Sequence, residues 1–473
     1  MKILLTHSYF YQLDKKQWAN QTPYAPLATI TALAKIEQEG FQSDFYDVAL
    51  DSGPSQCIEY IRANKPSVVV IYEDGFNYLT KMCLTNMRHA CFEMISAAKE
   101  IGAKVIVSSS DSTDHAQMYH DSGADIVIHG EAEITLTECL KAIEKNGDIS
   151  TIEGISFLHE DKITKTKARL NLNDLDVIPI AKWSAIDIDK YKSIWKNSKF
   201  PFTLNVSTTR GCPFKCNWCA KPIYGNRYNA RSPENVVEEI EMLITKFGVQ
   251  NIWMTDDIFG LKPGWVKRFN ELIQEKKLKF KYKIQSRADL LLKDETIREL
   301  ADSGLEEVWI GAESGSQKIL DAMDKGTTVA QINKSTEMLQ EQGVRVAYFL
   351  QFGYLGETKE DIKLTTEMVR KNQPDDIGIS VSYPLPGTPF YETVKSQLSK
   401  KSNWTDSDDL DLMFKGTYDS NYYKTLQRFV HHQFRFQQGM KKWKNWNSFI
   451  SWRYAVLAPY NLIAAKYLQF KIR

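Results

Sequence analysis

The sequence predicts an α/β protein with three parts: an N-terminal doubly wound, Rossmann-like parallel sheet, a central partial (β/α)6 TIM-like barrel, and a C-terminal helical region. The first observation is that two series of short β-rich runs alternate with amphipathic helical stretches, which is typical of parallel sheets with crossover helices. The second is the length of 473 residues, enough for two or three cores. We therefore divide the chain into 1–150, 151–195, 196–395 and 396–473.

The first series contains five β-rich runs, which predict one doubly wound domain. They read KILLTH, QSDFYDV, SVVVIY, AKVIVSS and ADIVIHG. In such sheets ligands bind at the carboxyl ends of the strands. The corresponding segments of this chain are 6–9, 73–76, 108–111 and 130–131.

Residues 151–195 interrupt this rhythm with IEGISFLHEDKITKT, which predicts a hairpin, and with a linker around Pro179. The second series then predicts six strands: FTLNVST, NIWMTD, KYKIQS, EEVWIG, VRVAYFLQFG and DIGISVSYP. Ser232 is suited to cap the first helix between them, since Pro233 follows it, although Asn235 leaves no capping box. Six units predict an open barrel with its chemistry at the C-terminal face of the strands.

Three of the seven cysteines are crowded into RGCPFKCNWCA, as Cys212, Cys216 and Cys219, after the first strand of the second series. Thiolates spaced C-x3-C-x2-C can hold three irons of a 4Fe-4S cluster and leave the fourth iron open. The alternatives are three uninvolved thiols or a structural zinc site, which normally needs four ligands; the nearest histidines are His159 and His431. The scattered cysteines are expected to be buried thiols: Cys57, Cys83, Cys91 and Cys139.

In this loop the sequence resembles the radical S-adenosylmethionine (SAM) superfamily, whose hallmark is C-x3-C-x-aromatic-C, with Trp218 at the aromatic position. The resemblance extends over about residues 200–395. It implies that the open iron binds the amino and carboxylate groups of SAM. It also implies that an electron from the cluster cleaves SAM into methionine and a 5′-deoxyadenosyl radical, and that an external flavodoxin-type or ferredoxin-type donor supplies the electron.

Other segments resemble the same superfamily at the expected strand ends: MTDDIFG, QSRADLL, GAESGSQKIL and FGYLGET, with PLPGTPFYE after the sixth strand. Carboxylates there can accept hydrogen bonds from the ribose or amino group of SAM, an arginine can pair with its carboxylate, and glycines let the backbone approach adenine. A solvated or structural charge is the alternative for each acid or arginine. The SAM-binding candidates are Trp218, Asp257, Ser286, Arg287, Glu313, Gly353 and Gly356.

The first series resembles the cobalamin-binding domains that precede radical SAM barrels, through PYAPLATITALAKIEQEGFQSDFYDV and GADIVIHGEAEITLTECL. The resemblance implies cobalamin at the sheet edge, with candidate contacts at Ser108, Ser109, Gly130 and Glu131. The D-x-H-x-x-G motif is absent, which implies that no protein histidine binds cobalt. Relatives often have Gly-Gly-x-His where this chain has SSSD, so a vestigial fold without cobalamin is the alternative.

The C-terminal region is basic: residues 424–473 contain ten Lys or Arg and no Asp or Glu, although the whole chain has a net charge of +1. Aromatic residues are interleaved with these cations, which suits a helical cap on the barrel, a membrane surface or lipid-like substrate, or, least favoured here, nucleic acid. No signal peptide or spanning segment is evident, so we expect a cytoplasmic chain. The aromatic residues are Trp443, Trp446, Trp452 and Tyr454.

Together these features predict a cobalamin-dependent radical SAM enzyme that methylates an unactivated carbon of a small-molecule or lipid-like substrate. The resemblance implies that one SAM methylates cobalamin and a second yields the radical that abstracts hydrogen. Two alternatives remain open. One is ring closure or rearrangement, as in tetrapyrrole cyclases, and the other is a non-catalytic iron-sulfur or cobalamin sensor. The sequence assigns no catalytic acid or base.

Overall fold

The structure is a computed structural model that describes residues 1–73, 75, 84–160, 162–221, 223–398, 403–405, 410–443 and 449–472. Two parallel sheets and a C-terminal pair of helices organise the described residues, which confirms the predicted fold class. Several predictions concern residues outside the described part, namely Cys83, Trp446 and positions 74 and 76. The side chains of Trp443, Trp452 and Tyr454 also lie outside it.

The N-terminal domain contains seven strands, β1 to β7: Ile3–Thr6, Ser43–Phe45, Val68–Tyr72, Lys104–Ser108, Ile126–Ile128, Ile155–His159 and Lys162–Lys165. They form one sheet in the order β2-β1-β3-β4-β5-β6-β7. Strands β1 to β5 are parallel, whereas the predicted hairpin adds β6 and β7 antiparallel to the edge. The strand order reverses between β1 and β3, and such sheets bind ligands at the carboxyl ends of the strands at this point.

Helices cover both faces of this sheet, so β3 is buried along its whole length. The helices α1 to α7 are Lys15–Asn20, Leu27–Gln38, Ser55–Asn64, Thr85–Glu100, Ser110–Asp114, Ala116–Asp121 and Glu133–Glu144. Short 3-10 turns occur here and later in the chain, at Tyr11–Leu13, Ile149–Thr151, Trp183–Ala185 and Lys395–Gln397.

The second domain contains strands β8 to β15: Leu204–Val206, Thr209–Arg210, Asn229–Ala230, Asn251–Met254, Lys281–Ser286, Leu305–Glu313, Arg345–Phe352 and Asp376–Val381. Six of them form a parallel sheet in the order β15-β14-β13-β12-β11-β8, while β9 and β10 form a separate antiparallel pair. No hydrogen bonds join β8 to β15, so the barrel is open, as predicted. The helices α8 to α16 are Ile188–Trp195, Pro233–Phe247, Trp265–Glu275, Ala288–Leu291, Thr296–Asp302, Gln317–Ala322, Val329–Glu341, Lys359–Asn372 and Pro389–Val394.

Side chains alternate between the two faces of the barrel strands, as the period of a β-strand requires. In β12, Tyr282 and Ile284 are buried on the helix side, whereas Lys283 and Gln285 are less buried and face the interior of the barrel. Ser232 caps the helix after β10, because its hydroxyl accepts a hydrogen bond from the backbone of Asn235 at 3.1 Å. The predicted helix start is therefore confirmed.

Two long helices, α17 (Ser420–Trp443) and α18 (Phe449–Lys471), form the C-terminal region and pack against each other. His432 of α17 bonds through its ring Nδ1 to Oδ1 of Asn461 in α18 at 2.8 Å. Among the helices of the described ranges, none combines the length and apolar character needed to cross a bilayer.

Buried charges join the two domains. Arg210, at the end of β9, donates through its guanidinium to the carboxylates of Glu131 and Glu133, the latter at 2.6 Å. The backbone N–H of Leu172 donates to Glu131 at 2.6 Å. The three charged side chains are at most 7% exposed, so this ion cluster is shielded from water and salt.

Replacing Arg210 with Met should lower the free energy of unfolding by about 3–5 kcal/mol, because it leaves two carboxylates buried without a cation. Denaturant unfolding of the purified protein measures this loss. Arg268→Met is the matched control, since Arg268 likewise pairs with carboxylates, three in number, but lies at the surface, where ion pairs contribute little. Equal losses in the two variants would contradict this account.

Candidate active site

The three clustered cysteines lie on the loop that leaves β9 and returns at β10. The loop begins with Gly211, whose φ is 77°. A Cβ atom at this position would overlap with the carbonyl oxygen of Arg227, so only glycine fits. Lys221 closes the loop by donating a hydrogen bond to Oδ1 of Asn226 at 2.6 Å. The backbone conformation at Gly211 therefore sets the position of Cys212, the first cysteine of the loop.

The thiols of Cys212, Cys216 and Cys219 form no disulfide and are partly exposed. Burial raises the pKa of Cys212, and it raises that of Cys219 to about 12. A thiolate here therefore needs a positive partner such as iron. Within the described residues, no three His, Cys, Asp or Glu side chains converge as ligands of a single metal ion. The three thiols suit the donor set of a 4Fe-4S cluster, in which each thiolate binds a different iron.

Asn217 ties the middle of the loop to the rest of the barrel. Its Nδ2 donates to the carbonyl of Ala322 at 2.8 Å and to the carboxylate of Asp324 at 3.0 Å. Its Oδ1 accepts from the hydroxyl of Tyr354 at 2.9 Å, and its carbonyl accepts from the N–H of Phe390 at 3.0 Å. No local sequence pattern marks Asn217, because its partners are distant in the chain.

Arg287, a predicted SAM contact, is buried directly beside the cysteine loop. Its Nη1 lies 3.9 Å from Sγ of Cys216, and its guanidinium carbon lies 3.7 Å from the ring centroid of Phe214. Its Nε donates to Asp289 at 2.9 Å. A cation in this position stabilises negative charge on the neighbouring sulfur. Ser286 is also buried, and its hydroxyl donates to the backbone carbonyl of Phe259 at 3.5 Å; its contact with SAM remains a prediction.

Glu313 forms a buried ion pair that no sequence pattern predicts. Its Oε1 lies 2.8 Å from Nζ of Lys325, and both side chains are 7% exposed. Glu313 sits at a bulge at the end of β13 with a φ of 56°, a strained value for a non-glycine residue. Gly311 leaves room for the pair, since a Cβ atom there would lie 2.6 Å from the ammonium. Burial lowers the pKa of Lys325, but the charges of Glu313 and Cys216 outweigh it and raise that pKa.

The two aspartates of MTDDIFG have different environments. Asp256 is fully buried and accepts hydrogen bonds from the backbone N–H groups of Thr208 and Thr209 at 2.7 and 2.8 Å. Burial raises its pKa to about 6, and its contacts are those of a structural group. Asp257 is exposed, and its charge adds to burial in raising the pKa of Cys219. Asp257 is thus near the cysteines, and its contact with SAM remains a prediction.

The loop after β14 carries Gly353, Gly356 and a buried glutamate, Glu357. The N–H of Gly353 donates to Oε2 of Glu357 at 2.7 Å, and a Cβ atom on Gly353 would lie 3.2 Å from the ring of Tyr423. Gly356 has a φ of 76° and open space at its Cβ position, so a ligand can approach its backbone. Burial raises the pKa of Glu357 to about 8, and Oε1 has no hydrogen-bond partner among the described residues.

Trp218 anchors the cysteine loop to a small apolar cluster. Its indole Nε1 is buried and has no hydrogen-bond partner in the part of the chain that the structure describes. A direct contact between Trp218 and SAM remains a prediction. The buried members of the cluster are Ile319, Met323, Tyr354, Phe390, Val394 and Phe414.

The cobalamin candidates Ser108 and Ser109 are buried at the carboxyl end of β4. The hydroxyl of Ser109 caps α5 by accepting from the backbone N–H of Ser112 at 2.8 Å. The hydroxyl of Ser110 is buried without a hydrogen-bond partner among the described residues. An unsatisfied hydroxyl at a sheet edge suits a polar ligand, so this edge is compatible with cobalamin.

Gly130 and Glu131 lie where the first domain contacts the barrel. Gly130 has a φ of 74°, and a Cβ atom on it would lie 3.4 Å from the carbonyl oxygen of Ile223. Arg210 pairs with the carboxylate of Glu131. A ligand at residues 130–131 would therefore contact their backbone. Contact of either residue with cobalamin remains a prediction.

A parallel barrel with three thiols on the loop after its first strand defines the class of cluster-binding α/β barrels. Residues 206–369 match the family model described as the radical SAM superfamily, a range that contains the three thiols and all seven SAM candidates. This match places a radical SAM domain over residues 206–369 and confirms the resemblance seen in that part of the sequence.

Two curated relatives illustrate the range of similar proteins. An uncharacterised methyltransferase of Pyrococcus horikoshii is 26% identical over 421 residues, which are 88% of each chain. An anaerobic magnesium-protoporphyrin IX monomethyl ester cyclase of Cereibacter sphaeroides is 30% identical over 58% of this chain and 45% of the cyclase. The chain therefore spans less than half of that cyclase.

Two solved structures share the architecture. The cobalamin-dependent S-adenosylmethionine radical enzyme OxsB, with aqua-cobalamin bound, matches with a TM-score of 0.76 and 16% identity, over 99% of this chain and 72% of OxsB. The radical S-adenosylmethionine methyltransferase TsrM from Kitasatospora setae, with cobalamin and a [4Fe-4S] cluster bound, matches with a TM-score of 0.69 and 19% identity, over 84% and 74%. At these identities the matches establish the fold, a doubly wound domain before the barrel.

Asn217→Ala should make the iron-sulfur cluster more labile, because the loop loses three side-chain hydrogen bonds of about 1 kcal/mol each. Iron release to a chelator after reconstitution, followed by absorbance, should be several-fold faster than in the unmodified protein. Asn333→Ala, which removes an amide that bonds Asn372 on the outer helices, is the control and should release iron at the original rate. Unchanged release from Asn217→Ala would disprove the anchoring role.

Glu357→Gln should stabilise the protein increasingly as pH rises from 5 to 8.5. The pKa of Glu357 is about 8 in the folded protein and 4.5 ordinarily. The neutral carboxyl therefore contributes its full stabilisation below about pH 4.5, and the protein loses this stabilisation as pH rises through 8. Glutamine never ionises. Melting temperatures across this range should show the gap widening, whereas the exposed control Glu360→Gln should show no such trend. A constant gap for Glu357→Gln would refute the assignment.

Proposed function

We propose that this protein is a cobalamin-dependent radical SAM enzyme that methylates an unactivated carbon of a small-molecule substrate. The observation that carries the proposal is the contact between the cysteine loop and the ligand-binding edge of the doubly wound domain. Arg210 makes this contact and directly precedes the loop. The proposal is supported because the three thiols and the carboxyl ends of the first-domain strands, where such sheets bind ligands, lie close to the same contact.

In this proposal Cys212, Cys216 and Cys219 hold the 4Fe-4S cluster. When bound, the cluster supplies the electron for reductive cleavage of SAM, and cobalamin carries the methyl group. The guanidinium of Arg287 is suited to pair with the carboxylate of SAM while it stabilises the charge on Cys216. The ion pair of Glu313 offers a carboxylate oxygen to the amino or ribose groups of SAM.

Further contacts of the two cofactors follow from open backbone and exposed side chains. Asp257 is exposed near the thiols and can accept hydrogen bonds from SAM, and Gly356 leaves space for its adenine. Ser108 and the backbone of Gly130 lie at the edge proposed for cobalamin. Glu131 takes part through its backbone, because its carboxylate holds Arg210.

The coverage of relatives supports methylation over ring closure. The relative named as a methyltransferase aligns along 88% of both chains. The relatives named as cyclases align with only 43 to 48% of their own length. Ring closure is the second candidate function, because one cyclase has the higher identity of 30%. An external electron donor of the flavodoxin or ferredoxin type completes either reaction.

We further infer that the outer face of α18 rests on an anionic membrane surface. One face of this helix packs inward through Ala458, Asn461 and Ala465. The opposite face is also apolar, and residues 424–473 carry ten cations and no acid. Such a face next to basic residues suits the interface of anionic lipids. The exposed apolar residues, 44 to 78% accessible, are Val456, Leu457, Tyr460, Ile463, Tyr467 and Phe470.

Anaerobically reconstituted protein, supplied with hydroxocobalamin, SAM and a strong reductant, should produce 5′-deoxyadenosine and S-adenosylhomocysteine and retain about one cobalamin. Chromatography measures both products. A variant with Cys212, Cys216 and Cys219 all changed to Ala should produce no deoxyadenosine. Deoxyadenosine without S-adenosylhomocysteine would favour ring closure, and the absence of both with an intact cluster would contradict the proposed function.

The membrane inference predicts that the protein sediments with vesicles of phosphatidylcholine and phosphatidylglycerol, and less with phosphatidylcholine alone. Ile463→Gln combined with Phe470→Gln should reduce binding about tenfold or more, because two buried apolar side chains contribute roughly 3 kcal/mol. Leu170→Gln, at another exposed leucine, should bind as before. Equal binding of the unmodified protein to the two kinds of vesicle would rule out this surface. Equal binding of the double variant and the Leu170→Gln control to the anionic vesicles would also rule it out.

A further inference from the structure

A cavity of about 350 Å³ lies near the N-terminal ends of the barrel strands. None of its lining residues belongs to the cysteine loop. Its size lies within the range of small-molecule sites. Inward-facing residues of strands β11 to β15 line it, and segments around Tyr24 and Trp195 cover the open side of the barrel. It therefore occupies the barrel interior on the side opposite the loop.

Aromatic rings form much of the cavity wall. Trp309 and Phe349 lie 4.7 Å apart between ring centroids, at an interplanar angle of 32°. Gly378 makes room for both, because a Cβ atom there would lie 3.2 Å from Trp309. Tyr24 lies 4.7 Å from Trp253 on the opposite side. Such a wall favours a planar, largely apolar body.

Two of the charged residues that line the cavity pair with each other. Arg345 bonds Glu307 at 2.9 Å, and the indole N–H of Trp309 donates to the same carboxylate at 2.8 Å. Asp376 accepts a hydrogen bond from the backbone N–H of Ile377 at 2.9 Å. Glu306 and Asp376 have no ion pair with a described residue, but the four cations of the lining outnumber its three acids; these cations are Lys199, Lys281, Lys283 and Arg345.

Lys283 is the least exposed of the three lysines that line the cavity, since Lys199 and Lys281 are exposed. Its Nζ donates to the hydroxyl of Tyr24 at 2.9 Å and lies 5.0 Å from the ring centroid of Trp253. No carboxylate of a described residue lies within ion-pair distance of it. The neighbouring Gln285 also faces the cavity, and its amide makes no hydrogen bond to another described residue. A cation held on aromatic faces in this way attracts an anion and repels a cationic ligand.

We propose that this cavity binds the substrate, through a planar apolar body between the aromatic walls and a carboxylate or phosphate group on Lys283. The proposal rests on the proposed function and names its substrate class. Arg287 follows Lys283 by four positions, directly after the end of β12, which is roughly 13 Å in an extended strand. A substrate anchored at Lys283 therefore needs about that length to place its reacting carbon near the cysteine loop.

Calorimetric titration of the cofactor-reconstituted protein with four probes tests this proposal. The probes are 2-naphthoate, 2-naphthyl phosphate, neutral 2-naphthamide and cationic 2-naphthylmethylammonium. We expect at least one anion to bind about tenfold or more tightly than the amide, because its contact with Lys283 is charge-assisted. The comparison of the two anions distinguishes a carboxylate from a phosphate substrate.

Lys283→Met should remove the preference for anions, whereas Lys283→Arg should retain it. Lys267→Met, on an exposed helix position, is the matched control and should bind as the unmodified protein does. Equal binding of anion and amide, an unchanged preference in Lys283→Met, tightest binding of the cation, or no binding of either anion would each overturn the proposal.

Measurement of SAM cleavage in the same samples tests the proposed function separately from the substrate class. Deoxyadenosine formation without anion binding would sink the substrate class and leave the proposed function standing. Anion binding that depends on Lys283, without any SAM cleavage, would support the cavity as a ligand site and contradict its assignment as the site of a radical SAM substrate.

Discussion

The buried ion cluster of Arg210, Glu131 and Glu133 is the contact on which the arrangement of the two domains depends. Arg210 immediately precedes Gly211, so the residue that docks the first domain also sets the start of the cysteine loop. Three charges placed out of water persist only when each is paired. A shift of one domain would separate these charges, and it would move the thiols relative to the edge proposed for cobalamin.

Much of the fold was predictable because its signals are local. The β-rich runs of both series form strands in the structure, and the six runs of the second series form the predicted partial barrel. The spacing of the cysteines and their place after the first strand were sufficient to predict the cluster loop. The capping of α9 by Ser232 was equally readable, since a cap and the residues that it serves lie within one turn.

The missing parts of the site depend on contacts between residues far apart in the sequence. Asn217 bonds residues more than 100 positions away, and no local pattern marks it. Lys325 follows Glu313 by only 12 residues, but their pairing requires the bulge in β13. Glu131 differs from these residues because the sequence did predict a role for it, at the cobalamin edge. In the structure its carboxylate pairs with Arg210 of the barrel domain.

The central claim is that the three thiols hold a cluster with one iron open to SAM. Mössbauer spectroscopy of protein reconstituted with iron-57 tests it most directly, with and without SAM. The account predicts one iron distinct from the other three, whose isomer shift increases when SAM is added because it gains nitrogen and oxygen ligands. Four equivalent irons with a spectrum unaffected by SAM would contradict the claim.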